Sequence, residues 1–398
     1  MHAPVIAPIV AQHAEDAAFL WLLRDRAADG PQVRLRDLAR LDERVEAHLD
    51  GLRVAGAVGW RLAADGLDRY GEPGETFAAA VLALGTGDPA RLEPVLERAA
   101  AEPACRRAVV AALGWVGPAP LRPLIGAWLA DPRPERRWLA AAACSVHRID
   151  PGPHLPRLLG DAPPVRARAL RLAGELGRAD LLPAVMRALA DPGTGFWAAW
   201  AGTLLGDRGP ALAALRAEVE SRGPEQGRAL RLVLRAMDPA SGRRWLHGLP
   251  NDPGKDRLAV EGAGILGDPA LVPWLIERMR DPALARLAGE SVAMLTGIEL
   301  SGALATSGED GDPAPRDADL PWPNPDAVAA WWAAQRLPPG TRLLAGQPAA
   351  GAALAGLLAT GFQRQRRAAA LQHALARPET PLFNCAARAP LQEVRARA

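Results

Sequence analysis

Along most of the chain, apolar residues recur every three or four positions in short stretches, and Pro, Gly and Asp punctuate those stretches at nearly constant intervals. That spacing is the spacing of amphipathic helices. LRPLIGAWLAD at 121–131 is followed by ERRWLAAAACSVH at 135–147, and LLPAVMRALAD at 181–191 by FWAAWAGTLLGD at 196–207. Each pair reads as helix, tight turn, helix in about 30 residues, a unit too small to bury its own apolar face, so that units must stack.

Three kinds of punctuation set the phase. Pro in a Leu-x-Pro or similar context falls at Pro94, Pro123, Pro156, Pro183 and Pro273, with gaps of 29, 33, 27 and 90 residues. The first turn of a helix has no intrahelical use for an N–H, so each Pro is expected to mark a helix start. Turns recur at Glu102-Pro103, Asp131-Pro132, Asp161-Ala162-Pro163, Asp191-Pro192, Asp252-Pro253 and Asp281-Pro282, with Ser221 and Pro224 in the remaining slot. There Asp or Ser caps the next helix and Pro stops the previous one. Gly117, Gly177, Gly206, Gly267 and Gly297 stand where second helices should close in a left-handed residue.

Seven units follow, ending near residues 117, 150, 177, 207, 238, 268 and 297. ETFAAAVLALGTG at 75–87 reads as the second helix of an earlier unit. Its partner would be one long helix within 34–65, where Leu38, Leu41, Val45, Leu49 and Leu52 keep helical spacing. Residues 12–28 read as a capping helix. The small residues Ala140–Ala143, Ala198, Ala199 and Ala201 would let neighbouring helices approach closely. The expected fold is all-α, a HEAT-like α-solenoid of about seven to eight helix pairs with a small C-terminal extension. It divides into N-terminal capping helices (1–74), the repeat solenoid (75–297), an acidic flexible loop (298–320) and a C-terminal helical extension (321–398).

Composition agrees. Aromatic residues are 5% of the chain and Tyr70 is the only Tyr, whereas Ala, Leu and Arg, all good helix formers, dominate. A net charge of +2 supplies no strong field toward nucleic acid or membrane. Cys105, Cys144 and Cys385 are scattered and form no CxxC pair, so neither a disulfide framework nor a zinc site is implied. No basic, apolar leader opens the chain and no run approaches the ~18 apolar residues of a membrane span, which makes the cytoplasm the default location.

After Gly297 the periodic pattern stops. Residues 299–319 carry Glu299, Glu309, Asp310, Asp312, Asp317 and Asp319 among Gly, Ser and Pro, the composition of an exposed, flexible loop. LPWPNPDAVAAWWAAQRL at 320–337 begins a helix capped by Asn324, with Pro325 its first residue. GTRLLAGQP at 340–348 follows, then a helix in GFQRQRRAAALQHAL at 361–375 and PLFNC at 381–385, a short strand or an extended tail. PALVPWLIERM after LGD, then DPALARLAGES, LPWPNP with a WW pair, GTRLLAGQP, FQRQRRAAA and PLFN stand in one order. This series resembles a proteobacterial family of uncharacterised HEAT-like proteins, over essentially the whole chain and most strongly from Asp191 onward. Genes of that family often lie beside type VI secretion components. The resemblance implies an adaptor or chaperone-like accessory whose partner is a secreted effector or a spike component, and it carries over no catalytic residue.

Candidate chemistry is sparse. GAGILG at 262–267 matches the dinucleotide pattern GxGxxG, but that site needs a strand before it and a helix opening from it, and here it falls at the end of a second helix. The seven His are dispersed and none adjoins a Glu, so neither a metal nor a cofactor is expected. Arg residues early in second helices are more informative: Arg106, Arg107, Arg136, Arg137, Arg166, Arg168, Arg171, Arg228, Arg231, Arg257 and Arg286. One reading is a structural ladder to the turn Asp residues. The other is a surplus, chiefly Arg168, Arg171, Arg228 and Arg231, that meets acidic groups of a partner. Trp197 and Trp200 align with the Arg168 and Arg171 positions, and with Phe196 they read either as core or as an aromatic anchor. The resulting expectation is a non-catalytic, protein-binding scaffold. The alternatives are a nucleic-acid-binding HEAT protein, DNA glycosylase-like, with an Arg-rich concave groove, and a bilin-lyase-like enzyme. The small net charge weighs against the first, and no nucleophile or acid stands out for the second.

Overall fold

The computed structural model describes residues 5–249, 254–306, 317–336 and 340–397. The turn Asp252-Pro253 and the acidic residues Glu309, Asp310 and Asp312 lie outside the described residues. The chain is all-helical apart from two short hairpins, and it splits into two compact units. The division falls between Leu176 and Gly177, inside the stretch expected to be one repeat array, and the segment from Asn384 onward belongs to the first unit.

The first unit opens with α1 (Ala7–Ala27), α2 (Leu35–Val54), α3 (Ala57–Tyr70) and α4 (Pro73–Thr86). The single long helix expected within 34–65 is two helices, because the chain turns at Gly56 with φ +58°. Three helix pairs follow: α5 (Pro89–Ala101) with α6 (Pro103–Trp115), α7 (Pro118–Leu129) with α8 (Pro134–His147), and α9 (His154–Leu158) with α10 (Pro163–Leu176). Successive second helices α4, α6, α8 and α10 pack side by side. Ala140, Ala142 and Ala143 are fully buried there, as close helix approach requires. Phe77 of α4 is fully buried between Trp21, stacked at 4.7 Å, and Trp115, edge-on at 5.3 Å.

The second unit holds four more pairs: α11 (Leu182–Arg187) with α12 (Gly195–Leu204), α13 (Pro210–Glu220) with α14 (Gln226–Ala236), α15 (Pro239–His247) with α16 (Lys255–Leu266), and α17 (Val272–Arg278) with α18 (Ala285–Thr296). After α18 come β1 (Ala305–Thr306) and β2 (Trp322–Pro323), antiparallel with Ala305 opposite Pro323, and α19 (Pro325–Ala333). Next are the hairpin of β3 (Leu343–Leu344) and β4 (Gln347–Pro348), then α20 (Gly351–Thr360) and α21 (Gln363–Ala376). The last helix, α22 (Ala389–Arg397), lies in the first unit. Residues 381–385 are extended and form no strand.

Gly177, Gly206, Gly267 and Gly297 follow second helices at positive φ as expected, but Gly117, at φ −58°, is instead the N-cap of α7. Of the helix starts, Pro183 and Pro273 do stand in the first turns of α11 and α17. Pro94 and Pro123 lie inside α5 and α7, which begin at Pro89 and Pro118. Pro183 and Pro273 each follow a 3-10 turn, at Ala179–Leu181 and Pro269–Leu271, that tightens the chain ahead of the Pro. The true N-caps are Asp residues one step earlier: Asp88, Asp238 and Asp268 accept hydrogen bonds from Ala90, Ser241 and Ala270 at 3.0, 2.9 and 3.0 Å.

Residues after 340 close the open ends of second helices, whose last carbonyls have no intrahelical donor. In the second unit, Leu343 N–H donates to Gly267 O at 2.8 Å beyond α16, and Ala345 and Gly346 N–H donate to Met294 O at 2.8 Å and Leu295 O at 2.9 Å in α18. The Arg342 guanidinium donates to Leu234 O at 2.8 Å and also to Arg235 O and Met237 O, at the end of α14. In the first unit, Asn384 Nδ2 donates to Val146 O at 2.9 Å in α8, and Arg388 Nη1 to Trp115 O at 3.4 Å in α6. Arg24, held by Asp42 at 2.7 Å, donates to Ala386 O and Ala387 O at 2.8 Å each. The closing glycines are therefore doubly required. Gly267 (φ +72°) has Leu343 O only 2.2 Å from where a Cβ would stand, and Gly297 (φ +75°) has Ala345 O at 2.7 Å.

Candidate functional site

The arginine positions separate into two kinds. In the first unit Arg136, Arg137 and Arg171 pair with carboxylates and Arg168 is buried. Arg136 donates to Glu93 at 2.7 Å, and Arg137 grips Asp161 of the next turn through Nε at 2.5 Å and Nη2 at 2.8 Å, which holds the Asp161 carboxyl below its usual range. Arg171 Nε donates to Glu175 at 2.9 Å. Arg168 is only 8% exposed, lies over the Trp138 ring at 5.7 Å and reaches Ala142 O at 3.5 Å. Burial pushes its pKa down to about 9, with the neighbouring Arg171 adding to the effect and Glu175 opposing it. Arg168 is thus no surface residue for a partner, because its stem completes the packing between α8 and α10. Glu175 is buried as well. Burial opposes its charge, but Arg148, Arg171 and Arg168, together with a hydrogen bond from Ser145, overcome that and hold it at about 2.

The second unit brings Phe196, Trp197, Arg228 and Arg231 together. Phe196 and Trp197 meet edge-on at 5.1 Å, Trp197 and Trp200 at 5.8 Å, and the Arg228 guanidinium lies over the Trp197 ring at 5.0 Å. Trp200 is 5% exposed and belongs to the core with Leu204, Leu230 and Trp245, so it anchors the fold and offers nothing to a partner. Phe196 and Trp197 are half-buried, while Arg228 and Arg231 are exposed, each with an acidic neighbour: Glu225 at 2.5 Å and Glu261 at 3.4 Å. Arg235, one turn beyond Arg231, is buried, and its Nη1 meets no acceptor. Burial, then the nearby Arg342 and Arg231, lower it to about 9. Neither Arg235 nor Arg342 stands out in sequence, since an Arg at the end of an amphipathic helix and an Arg in a loop both read as solvated.

Two further second-helix arginines hold the chain's own acidic segment. Arg257 of α16 grips the Asp317 carboxylate through both Nη atoms at 2.7 Å, and the Asp317 side chain is 6% exposed. Arg286 of α18 donates to the carbonyls of Asp317 and Ala318 at 3.1 Å and lies over the Trp322 ring at 4.9 Å. The stretch read as a free acidic loop is therefore packed at both described ends. Ile298 and Leu300 are buried on one side and Asp317 and Leu320 on the other.

The remaining candidates have structural roles. The GAGILG glycines occupy the last turns of α16, and a Cβ on Gly264 would stand 2.7 Å from Ser291 Cα, so they serve helix packing and not a phosphate turn. All three cysteines are buried, and burial pushes the Cys144 thiol up to about 11. His147 is buried against Leu113 O at 2.7 Å. The structure does join two histidines that are far apart in sequence: His13 and His48 meet through their Nδ1 atoms at 3.1 Å, with Asp16 at 3.7 Å from His48. Among the described residues no group of three or more His, Cys, Asp or Glu could hold a metal ion, and no helix is long and apolar enough to cross a membrane. No family model matches the chain, and neither a curated protein nor a solved structure matches it.

Proposed function

We propose that the chain is a non-catalytic protein-binding scaffold of HEAT-like repeats. In this reading the arginine-bearing second helices of the second unit take acidic segments of a partner protein. The observation that carries the reading is the grip of Arg257 and Arg286 on Asp317 and the peptide carbonyls beside it. A planar guanidinium reads a carboxylate in two-point fashion, and the backbone contacts read an extended chain. The same chemistry, an exposed guanidinium beside an aromatic ring, recurs at Arg228 on Trp197 with Arg231 one turn on, and is the place for a partner's acidic residue. A role as adaptor for a type VI secretion effector or spike component rests on the sequence resemblance alone.

The test compares proteins retained from native cell extract, at physiological salt, by the wild type and by Arg228→Ala/Arg231→Ala. Both side chains are exposed, so the variant should keep its melting temperature. A partner held by the wild type and lost by the variant supports the reading. Equal retention of every partner refutes it. Tight binding of generic duplex DNA, steeply weakened by salt, would instead favour the nucleic-acid alternative.

A further inference from the structure

Ten large apolar side chains are exposed among the described residues, and six of them lie in α1 or directly before it: Val5, Ile6, Ile9, Phe19, Leu22 and Leu23. The other flank of α1 is packed, with Val10, Ala17, Leu20 and Trp21 turned into the first unit against α2, α3 and α4. At 100° per residue, Ile9, Gln12, Asp16, Phe19 and Leu23 fall on one stripe, and Val5 continues the same spacing just before the helix. A soluble chain seldom leaves so concentrated an apolar stripe bare.

The order of residues in the stripe identifies what covers it. The positions are symmetric about residue 14: Val5 and Leu23 stand nine residues to either side, Ile9 and Phe19 five, and Gln12 and Asp16 two. Two copies of a helix related by a two-fold axis run antiparallel, so each residue meets the one equally far on the other side of the axis. A two-fold interface has to be self-complementary in this sense, a condition an arbitrary partner would not impose. Here the apolar positions of the stripe would meet apolar ones, with Val5 against Leu23 and Ile9 against Phe19, while Ile6 and Leu22 flank the stripe. At the axis an amide meets a carboxylate. Gln12 Nε2 already donates one N–H to its own Asp16 at 3.1 Å and has a second for the facing Asp16. Antiparallel helices also set opposite dipole ends side by side.

We propose that α1 is the homodimerisation element of this protein, pairing antiparallel with α1 of a second copy about a two-fold axis level with residue 14. One helix face on each side is a small interface, so the dimer forms and dissociates with concentration in the micromolar range.

Sedimentation equilibrium of the full chain tests the pairing. The weight-average mass should rise with concentration from 42.0 kDa toward twice that value. Ile9→Glu should stay monomeric at the same concentrations with an unchanged helical melting curve, since Ile9 is 53% exposed. The register is tested by cysteine pairs. Positions 9 and 19 are about 15 Å apart on one helix, beyond disulfide reach, so Ile9→Cys/Phe19→Cys cannot close within a chain. In the proposed dimer it should give a covalent dimer on oxidation, whereas Ile9→Cys alone and Phe19→Cys alone should not; the native cysteines are buried. A chain that remains monomeric at every concentration overturns the proposal, as does a single-cysteine variant that cross-links as readily as the double.

Discussion

Replacing Glu175 with Gln removes a buried carboxylate that faces Arg148, Arg171 and the buried Arg168, while keeping the size of the side chain and an acceptor for Ser145. Glu175 sits at about 2 against an ordinary 4.5, so its ionised form is stabilised by the fold by about 3 kcal/mol at ~1.36 kcal/mol per unit. Removing one partner of a buried ion pair costs about 3–5 kcal/mol, because the remaining cations keep their desolvation without compensation. The two figures agree, and Glu175→Gln should lose about 3–5 kcal/mol at pH 7. The folded value lies below the unfolded one, so the contribution is full above pH 4.5 and is lost as the pH falls toward 2. The gap between wild type and variant should therefore narrow by about 2 kcal/mol at pH 3. Urea unfolding at the two pH values, followed by near-ultraviolet dichroism, reads both numbers. A gap below about 1 kcal/mol at pH 7, or one that does not change with pH, would refute the assignment of Arg168 and Arg171 to an internal network.

Three other substitutions probe different parts of the structure. Gly267→Ala and Gly87→Ala both place a side chain at positive φ, but a Cβ at Gly87 meets nothing within 4 Å whereas one at Gly267 stands 2.2 Å from Leu343 O. Gly87→Ala should cost about 1–2 kcal/mol in chemical unfolding and Gly267→Ala clearly more; equal costs would mean that the 343 segment does not press on α16. Glu290 is raised to about 7 by burial, with Arg364 at 3.3 Å opposing the shift only in part. A folded value above the unfolded one makes the native state less stable as pH rises from 4.5 to 7, so Glu290→Gln should stabilise by about 3 kcal/mol at pH 8 and be nearly neutral at pH 4, and a loss of stability at pH 8 would contradict it.

Periodicity locates the helices of this chain well because the second helices are buried along one face, and several are closed by a glycine with few conformational rivals. Gly267 and Gly297 are such marks, and α16 and α18 end at them. Starts were misplaced where a local rule was applied to the wrong residue. Pro94 and Pro123 read as first-turn prolines, yet Pro89 and Pro118 already fill that role, with Asp88 and Gly117 as the N-caps ahead of them. Contacts across long sequence separations left no local trace. Nothing in GTRLLAGQP announces that Arg342 will cap α14, over 100 residues earlier, or that Ala345 will donate to α18. Nor does the acidic composition of 299–319 distinguish the buried Asp317 from its neighbours.

The same residue type in the same helical slot thus has different work in the two units, and its neighbours decide which. A carboxylate within reach on an adjacent element, as Glu93 and Asp161 are for Arg136 and Arg137, makes the guanidinium a cross-brace, whereas Arg171 pairs with Glu175 within α10 itself. An aromatic ring, as Trp197 is for Arg228 and Trp322 for Arg286, holds only the face of the guanidinium and leaves edge N–H groups to be shared with incoming acceptors. Asp317 and the carbonyls beside it fill that position for Arg257 and Arg286. Under the proposed function, an acidic segment of another protein takes the corresponding position at Arg228 and Arg231 by outcompeting Glu225 and Glu261, surface pairs worth at most about 1 kcal/mol each. Arg168 and Arg171 offer no such opening, since displacing Glu175 would strand the buried Arg168 at several times that cost.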